Sequence, residues 1–286
     1  METKLRIAVQ SKGRLNEDTM GLLAEAGIKV SVSKRSLLAE ARNFPVEVLF
    51  LRDDDIPRTV ADGVADAGVV GHNELAEREA HAEIVRHLGF GACRLSLAVP
   101  KSENYTGLDW FEGRTIATSY PVILRKFLDE KGIHASIHVI TGSVEVSTGI
   151  GLADAIFDIV SSGSTLVSNN LREVEVVMKS DALLIAAPGL CEEKRVLLDE
   201  ILFRIEAVQS AADKKYVMMN APRACLEAIL SVLPGIKSPT VMPLAQEDWC
   251  SIHTVLDESH FWHIIGKLKD AGAQGILVLP IEKMIL

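Results

Sequence analysis

Residues Leu152 to Leu166, LADAIFDIVSSGSTL, set two aspartates four positions apart and close on Ser161, Ser162, Gly163, Ser164 and Thr165, with no lysine in the stretch. The pattern from Gly151 to Val160 predicts a helix-like segment, on which Asp154 and Asp158 share a face because residues four apart are neighbours on a helix surface. The small residues that follow let backbone N–H groups approach an anion closely, and their hydroxyls add donors. Such a nest of N–H groups binds phosphate without a lysine. Two carboxylates beside it suit a phosphorylated sugar, accepting from ribose hydroxyls or holding a hydrated magnesium ion. The same residues also read as the solvated face of an amphipathic helix and an ordinary polar turn, and local chemistry leaves both readings standing. The stretch is neither a Walker A loop, which requires Gly-Lys-Ser/Thr, nor a dinucleotide-binding fingerprint.

On either side, short apolar strands alternate with helices. LRIAVQ is followed by a helix from Asn16 to Ala26, with Asn16 as N-cap and Gly27 beyond its end, then by KVSVS, VEVLFL, a helix near Pro57 to Ala61, and DAGVVG. A second block starts at about residue 106, with a strand after Gly113 and Arg114 and a helix through PVILRKFLDEKG. The alternation is that of an α/β fold. After an amphipathic helix from about Cys191 to Ala212, the segments from KYVMMN to GILVLPIE follow in the order βαββαβ, the ferredoxin-like pattern. A small terminal module of this kind serves dimerisation or stability as readily as ligand binding.

Three strand ends carry anion-binding residue types. QSKGRL places Lys12, Gly13 and Arg14 after the first strand, where α/β folds bind ligands. LRDDDIP places Arg52 and Asp55 in the same way, and GVADAGVVGHNEL places Gly68 and Gly71. Each alone reads as a solvated turn, but three at strand ends are harder to dismiss as such.

Composition narrows the classes. A chain of 286 residues with 48% hydrophobic and 24% charged residues is globular and long enough for two or three packed units. A net charge of -9 leaves no basic field for a phosphate backbone, so nucleic acid is not an expected partner. The opening METKLRIAVQSKGRL, its short apolar run interrupted by Arg6, is neither a signal h-region nor a membrane span; a cytoplasmic location and no membrane partner are expected. Cys93, Cys191, Cys225 and Cys250 are isolated, which predicts reduced, buried thiols. The pairs His134/His138 and His260/His263 have ligand-like spacing without accompanying carboxylates or cysteines, and read as packing or surface residues.

Taken in order, SKGRL, LRDDDIPRTVADGVADAGVVGHN, TGSVEV, GLADAIFDIVSSGSTL, REVEVVMKS, KYVMMNAP, SPTVMPLA and ILVLPIEKM resemble the ATP phosphoribosyltransferase family in its long form, over nearly the whole chain. The resemblance implies a two-lobe catalytic part of the type II periplasmic-binding-protein kind and a C-terminal ACT-like domain. It implies lobe I over 1–105 with a return segment of about 180–214, lobe II over 106–179, and the ACT-like domain over 215–286. It also implies transfer of the phosphoribosyl group of phosphoribosyl pyrophosphate to N1 of ATP, with magnesium required, inhibition by histidine, and dimers that assemble to hexamers. Carried over, Asp154, Asp158, Ser161, Ser162, Gly163, Ser164 and Thr165 look like the phosphoribosyl site, with Asp154 and Asp158 as candidate magnesium ligands. Lys12, Gly13, Arg14, Arg52, Gly71 and Glu145 look like the ATP and pyrophosphate side, and Thr240 and Ala273 like the histidine site. Where some relatives read EVAPRAGLAD, this chain reads EVSTGIGLAD, without the arginine.

Overall fold

The computed structural model describes residues 3–31, 37–234 and 238–285. They form two compact units, one running to Asp199 without Glu25–Gly27, the other made of Glu25–Gly27 and the chain from Glu200.

The first unit holds two sheets. In one, β1 (Leu5–Gln10) lies between β3 (Val46–Leu51) and β4 (Ala67–Gly71), parallel to both, with β2 (Leu38–Glu40), β11 (Ala182–Ala186) and β5 (Glu83–His87) completing the order β2-β3-β1-β4-β11-β5. In the other, β7 (Thr115–Thr118) lies between β8 (Ser136–Val139) and β9 (Ala155–Val160), parallel to both. There β6 (Cys93–Pro100) runs antiparallel to β9, and β10 (Leu171–Ser180) antiparallel to β6. Every residue of β11 is buried, as are Leu5, Ile7, Ala8 and Val9 of β1, the continuous apolar run that a strand covered on both faces requires.

Helices α1 (Arg14–Glu25), α2 (Ile56–Ala61) and α3 (His72–Arg78) follow β1, β3 and β4, while α4 (Pro121–Lys131) and α5 (Ser164–Ser168) follow β7 and β9. The halves are joined through α3 and α4. Tyr120, at the N-cap of α4, makes no side-chain cap, and Pro121 has no N–H to satisfy. Glu77 of α3 does the capping from the other half, its carboxylate accepting from Val122 N at 2.9 Å and Ile123 N at 3.0 Å. Glu77→Ala should therefore lower the unfolding free energy by about 1–3 kcal/mol, since it orphans one buried and one part-buried donor; urea denaturation reads it.

Helix α6 (Glu192–Ala211) runs into the second unit from Glu200 and leads to β12 (Lys214–Pro222), α7 (Leu226–Val232), β13 (Thr240–Pro243), β14 (Trp249–Asp257), α8 (Glu258–Asp270) and β15 (Gln274–Pro280). The sheet order is β13-β14-β12-β15, with all three pairs antiparallel. Its core includes Val217, Met219, Ile229, Ile252, Phe261 and Leu268.

Several boundaries differ from expectation. β6, assigned to lobe I by a limit at 105, hydrogen-bonds within the second sheet, so the chain crosses over between His87 and Cys93. From Glu200 onward α6 groups with the C-terminal unit, where Met284 N donates to Ala207 O at 2.8 Å, rather than with a return segment reaching 214. α1 begins at Arg14, so Asn16 is not its cap; the Asn16 amide instead donates to Gln10 O at 2.6 Å and ties the helix to β1. Of KVSVS, Val30 bridges to Ala41, and the end of the segment lies outside the described residues. All four cysteines are free thiols, but only Cys250 is buried as expected; Cys93 and Cys225 are half-buried and Cys191 is exposed. Among the described residues no helix is long and apolar enough to cross a membrane.

Candidate functional site

The segment from Ala155 to Val160 is a strand, β9, not a helix. Its register fixes the site: Asp158 stands opposite Ser96 and Val160 opposite Arg94 in the ladder with β6. The strand delivers Asp158 and Ser161 to its carboxyl end, while the buried side chains of Val160 and Leu166 anchor the two ends of the turn between them. Gly163 has φ +80°, a conformation that disfavours any side chain, and starts α5. Ser162 Oγ and Ser164 Oγ lie 3.0 Å apart. The backbone N–H groups of Ser162 and Gly163 have no acceptor among the described residues. An exposed turn with free N–H and hydroxyl donors has the groups that could cradle an anion.

Asp158 is half-buried, and that burial first, then the charge of Glu145, raises its carboxyl to about 6. Glu145 sits in the turn at Val144–Val146. Asp154 lies elsewhere. It precedes β9, roughly 13 Å of strand from Asp158 at about 3.3 Å per residue. Its carboxylate accepts from Thr115 N at 2.8 Å and stands 3.9 Å from Arg114, whose guanidinium lies 3.8 Å above the Trp110 ring. The expected pairing of the two aspartates on one face therefore becomes two aspartates at opposite ends of a strand. Such a pair does not fit a shared magnesium ion, and among the described residues no group of three His, Cys, Asp or Glu side chains could hold a metal.

In the first sheet, Lys12, Gly13 and Arg14 lie exposed after β1, as does Arg52 after β3. The guanidinium of Arg52 is engaged by Asp54 at 3.0 and 3.3 Å, and Arg14 stands 3.7 Å from Asp18. Gly71 closes β4 and leads into α3; a Cβ there would come within 2.4 Å of Asn73 Oδ1. That space is needed, because Asn73 joins the two halves. Its N–H donates to Ser180 Oγ at 3.0 Å, its Oδ1 accepts from the same hydroxyl at 2.8 Å, and its Nδ2 donates to Tyr120 at 3.3 Å. Burial raises the Glu74 carboxyl, and the Tyr120 hydroxyl is raised by burial and then by the Glu74 charge. Sequence reading missed Asn73, Glu74, Glu77, Tyr120 and Ser180; TSYP, ending one strand and starting a helix, was the only local signal among them. A cavity of about 500 Å³ beside the cradle is lined by His72, His87, Cys93, Arg94, Ser161 and Lys179 among others.

In the C-terminal unit Thr240 is exposed at the start of edge strand β13, while Ala273, expected to leave room for a ligand, is packed in the core at 5% exposure. They lie toward opposite edges of the sheet.

A family model described as HisG, ATP phosphoribosyltransferase, matches residues 52–207, and the HisG C-terminal domain matches 211–283. An ATP phosphoribosyltransferase of Bacteroides thetaiotaomicron is 70% identical over 282 residues, covering 99% of this chain and 100% of its own. One of Cytophaga hutchinsonii is 56% identical over 285 residues and covers 100% of both. The ATP phosphoribosyl transferase (HisG:HisZ) complex from Thermotoga maritima aligns with TM-score 0.62 and 29% identity over 70% of this chain and 95% of that one. The probable amino-acid ABC transporter extracellular-binding protein ytmK from Bacillus subtilis, at TM-score 0.50 and 13% identity over 73% of this chain and 92% of its own, shares the fold alone. Matched along both units by family models and along its whole length by such relatives, the chain belongs to the ATP phosphoribosyltransferase family, in the form that carries the C-terminal domain.

Proposed function

We propose that the chain transfers the 5-phosphoribosyl group of phosphoribosyl pyrophosphate to N1 of ATP, releasing pyrophosphate, as the first step of histidine biosynthesis. The observation that carries this reading is the lysine-free turn Ser161–Thr165, with free N–H groups beside a half-buried Asp158. In this reading the N–H groups of Ser162 and Gly163 and the hydroxyls of Ser161, Ser162, Ser164 and Thr165 hold the 5-phosphate, and Asp158 accepts from the ribose hydroxyls. Lys12, Gly13, Arg14, Arg52, Gly71 and Glu145 serve the ATP and pyrophosphate side. Arg52 then exchanges Asp54 for phosphate oxygens.

The adenine nitrogen is the nucleophile and pyrophosphate the leaving group, so no side chain has to form a covalent intermediate. Alignment of the two substrates and cationic stabilisation of the departing pyrophosphate carry the rate. Magnesium belongs to the reading as a companion of the pyrophosphate; this motif offers it at most one oxygen set, that of Asp158, and phosphate and water supply the rest. Incubation with ATP, phosphoribosyl pyrophosphate and magnesium should raise the ultraviolet absorbance of the adenine product. No change with folded protein rejects the reading.

Histidine inhibition through the C-terminal unit belongs to the same proposal. Thr240 and Ala273 are separated by about three strand spacings, roughly 14 Å. One histidine reaches both regions only where two copies meet, which suits a homo-oligomer of dimers that assemble to hexamers. An inhibitor acts from there by binding one assembly or lobe arrangement more tightly than another.

A further inference from the structure

We infer that Arg94, through the carbonyl of Ser161, is the positioning residue that turns the phosphate cradle toward its anion; the inference rests on the phosphoribosyl reading of that cradle. Arg94 Nη1 donates to Ser161 O at 3.1 Å. The remainder of the fork is taken by Glu173, with Nε to Oε1 at 2.5 Å and Nη2 to Oε2 at 2.6 Å. Glu173 is itself fixed by the Ser96 hydroxyl, which donates to Oε1 at 2.7 Å. Arg94 and Ser96 share a face of β6, and Ser96 stands opposite Asp158, so this brace adjoins both parts of the proposed site.

The physical consequence follows from the peptide plane. In a trans peptide the C=O and the following N–H point in opposite directions and cannot turn independently. Holding Ser161 O against the guanidinium therefore sends the Ser162 N–H the other way. That N–H is one of the two donors with no acceptor among the described residues. A strand-to-strand ion pair would explain the two contacts with Glu173. The third contact, to a turn carbonyl, contributes nothing to strand pairing and sets the cradle. With its charge matched by Glu173, Arg94 orders the donors without approaching the anion.

Steady-state kinetics and calorimetry on the full-length chain test this. Arg94→Gln should weaken phosphoribosyl pyrophosphate about tenfold in both Kd and KM, the expected loss of one charge-assisted bond's ordering. The KM for ATP and kcat at saturation should stay near wild type, whatever Tm is lost with the Glu173 ion pair. Arg94→Lys should recover part of the loss, since an ammonium reaches one acceptor but not both, and Glu173→Ala should shift binding the same way by freeing the guanidinium. Arg172→Gln, which removes a charge from β10 where Arg172 donates to Glu103 O, should change neither constant. Unchanged phosphoribosyl pyrophosphate binding in Arg94→Gln, beside normal wild-type binding, overturns the inference alone. So does a joint rise in both KM values with a lower Tm, which makes Arg94 a strand brace. If the wild type binds no phosphoribosyl pyrophosphate, the reading of the cradle fails and the inference with it.

Discussion

Asp158→Asn should reduce kcat/KM for phosphoribosyl pyrophosphate on the order of 10- to 100-fold, the range for losing a charged acceptor of substrate hydroxyls. Asp154→Ala should instead leave the kinetics near wild type and lower the melting temperature, because Asp154 accepts from Thr115 N at the other end of β9. Equal kinetic losses in the two variants, or none in Asp158→Asn, would sink the assignment. Acid supplies an independent test. With its carboxyl raised to about 6 by burial, Asp158 loses its charge as pH falls through that value, and kcat/KM should fall with it. Its effect on the fold has the opposite sign. Between about pH 4 and 6 the folded chain holds a proton that the unfolded one has released, so this group favours the fold more as pH falls. Activity should therefore decline over a range in which Asp158 does not weaken the structure. The substrate phosphate also titrates near pH 6; whatever acid limb survives in Asp158→Asn belongs to the substrate.

Thr240→Trp should raise the histidine concentration for half-inhibition at least about tenfold, because a bulky side chain fills the exposed start of β13 while leaving both substrate KM values unchanged. Ala273 offers no comparable test. It sits among Phe261, Leu268 and their neighbours, and Ala273→Leu should overpack that core, destabilising the unit by about 1–3 kcal/mol. A Thr240→Trp enzyme as sensitive to histidine as the wild type removes this edge from the regulatory site.

Where structure is local, the sequence was enough. VEVLFL, read as a short apolar strand, is strand β3, with Val46, Val48 and Phe50 buried. The βαββαβ order was readable because each element carries its own period and its own turns. AIFDIV misled because a spacing of four returns to the same face at a period of 2 as well as 3.6. Its shortness and its Ile, Phe, Ile and Val content favoured a strand. The sheet membership of β6 and the contact from Arg94 to Glu173, 79 residues apart, depend on pairing that no local window contains. The same holds for Asn73 and Ser180, which are 107 apart.

The free amides of Ser162 and Gly163 determine which experiments can detect the cradle at all. Main-chain donors survive any side-chain exchange that keeps the turn, so alanine at Ser161, Ser162, Ser164 or Thr165 removes a hydroxyl and leaves the amides in place, whereas Gly163→Ala strains the turn itself. Sequence drift among small residues should be tolerated there for the same reason. A semisynthetic chain carrying an ester in place of the Ser161–Ser162 peptide deletes that donor and weakens the carbonyl that accepts from Arg94, and should lose phosphate affinity beyond what removal of the hydroxyls costs.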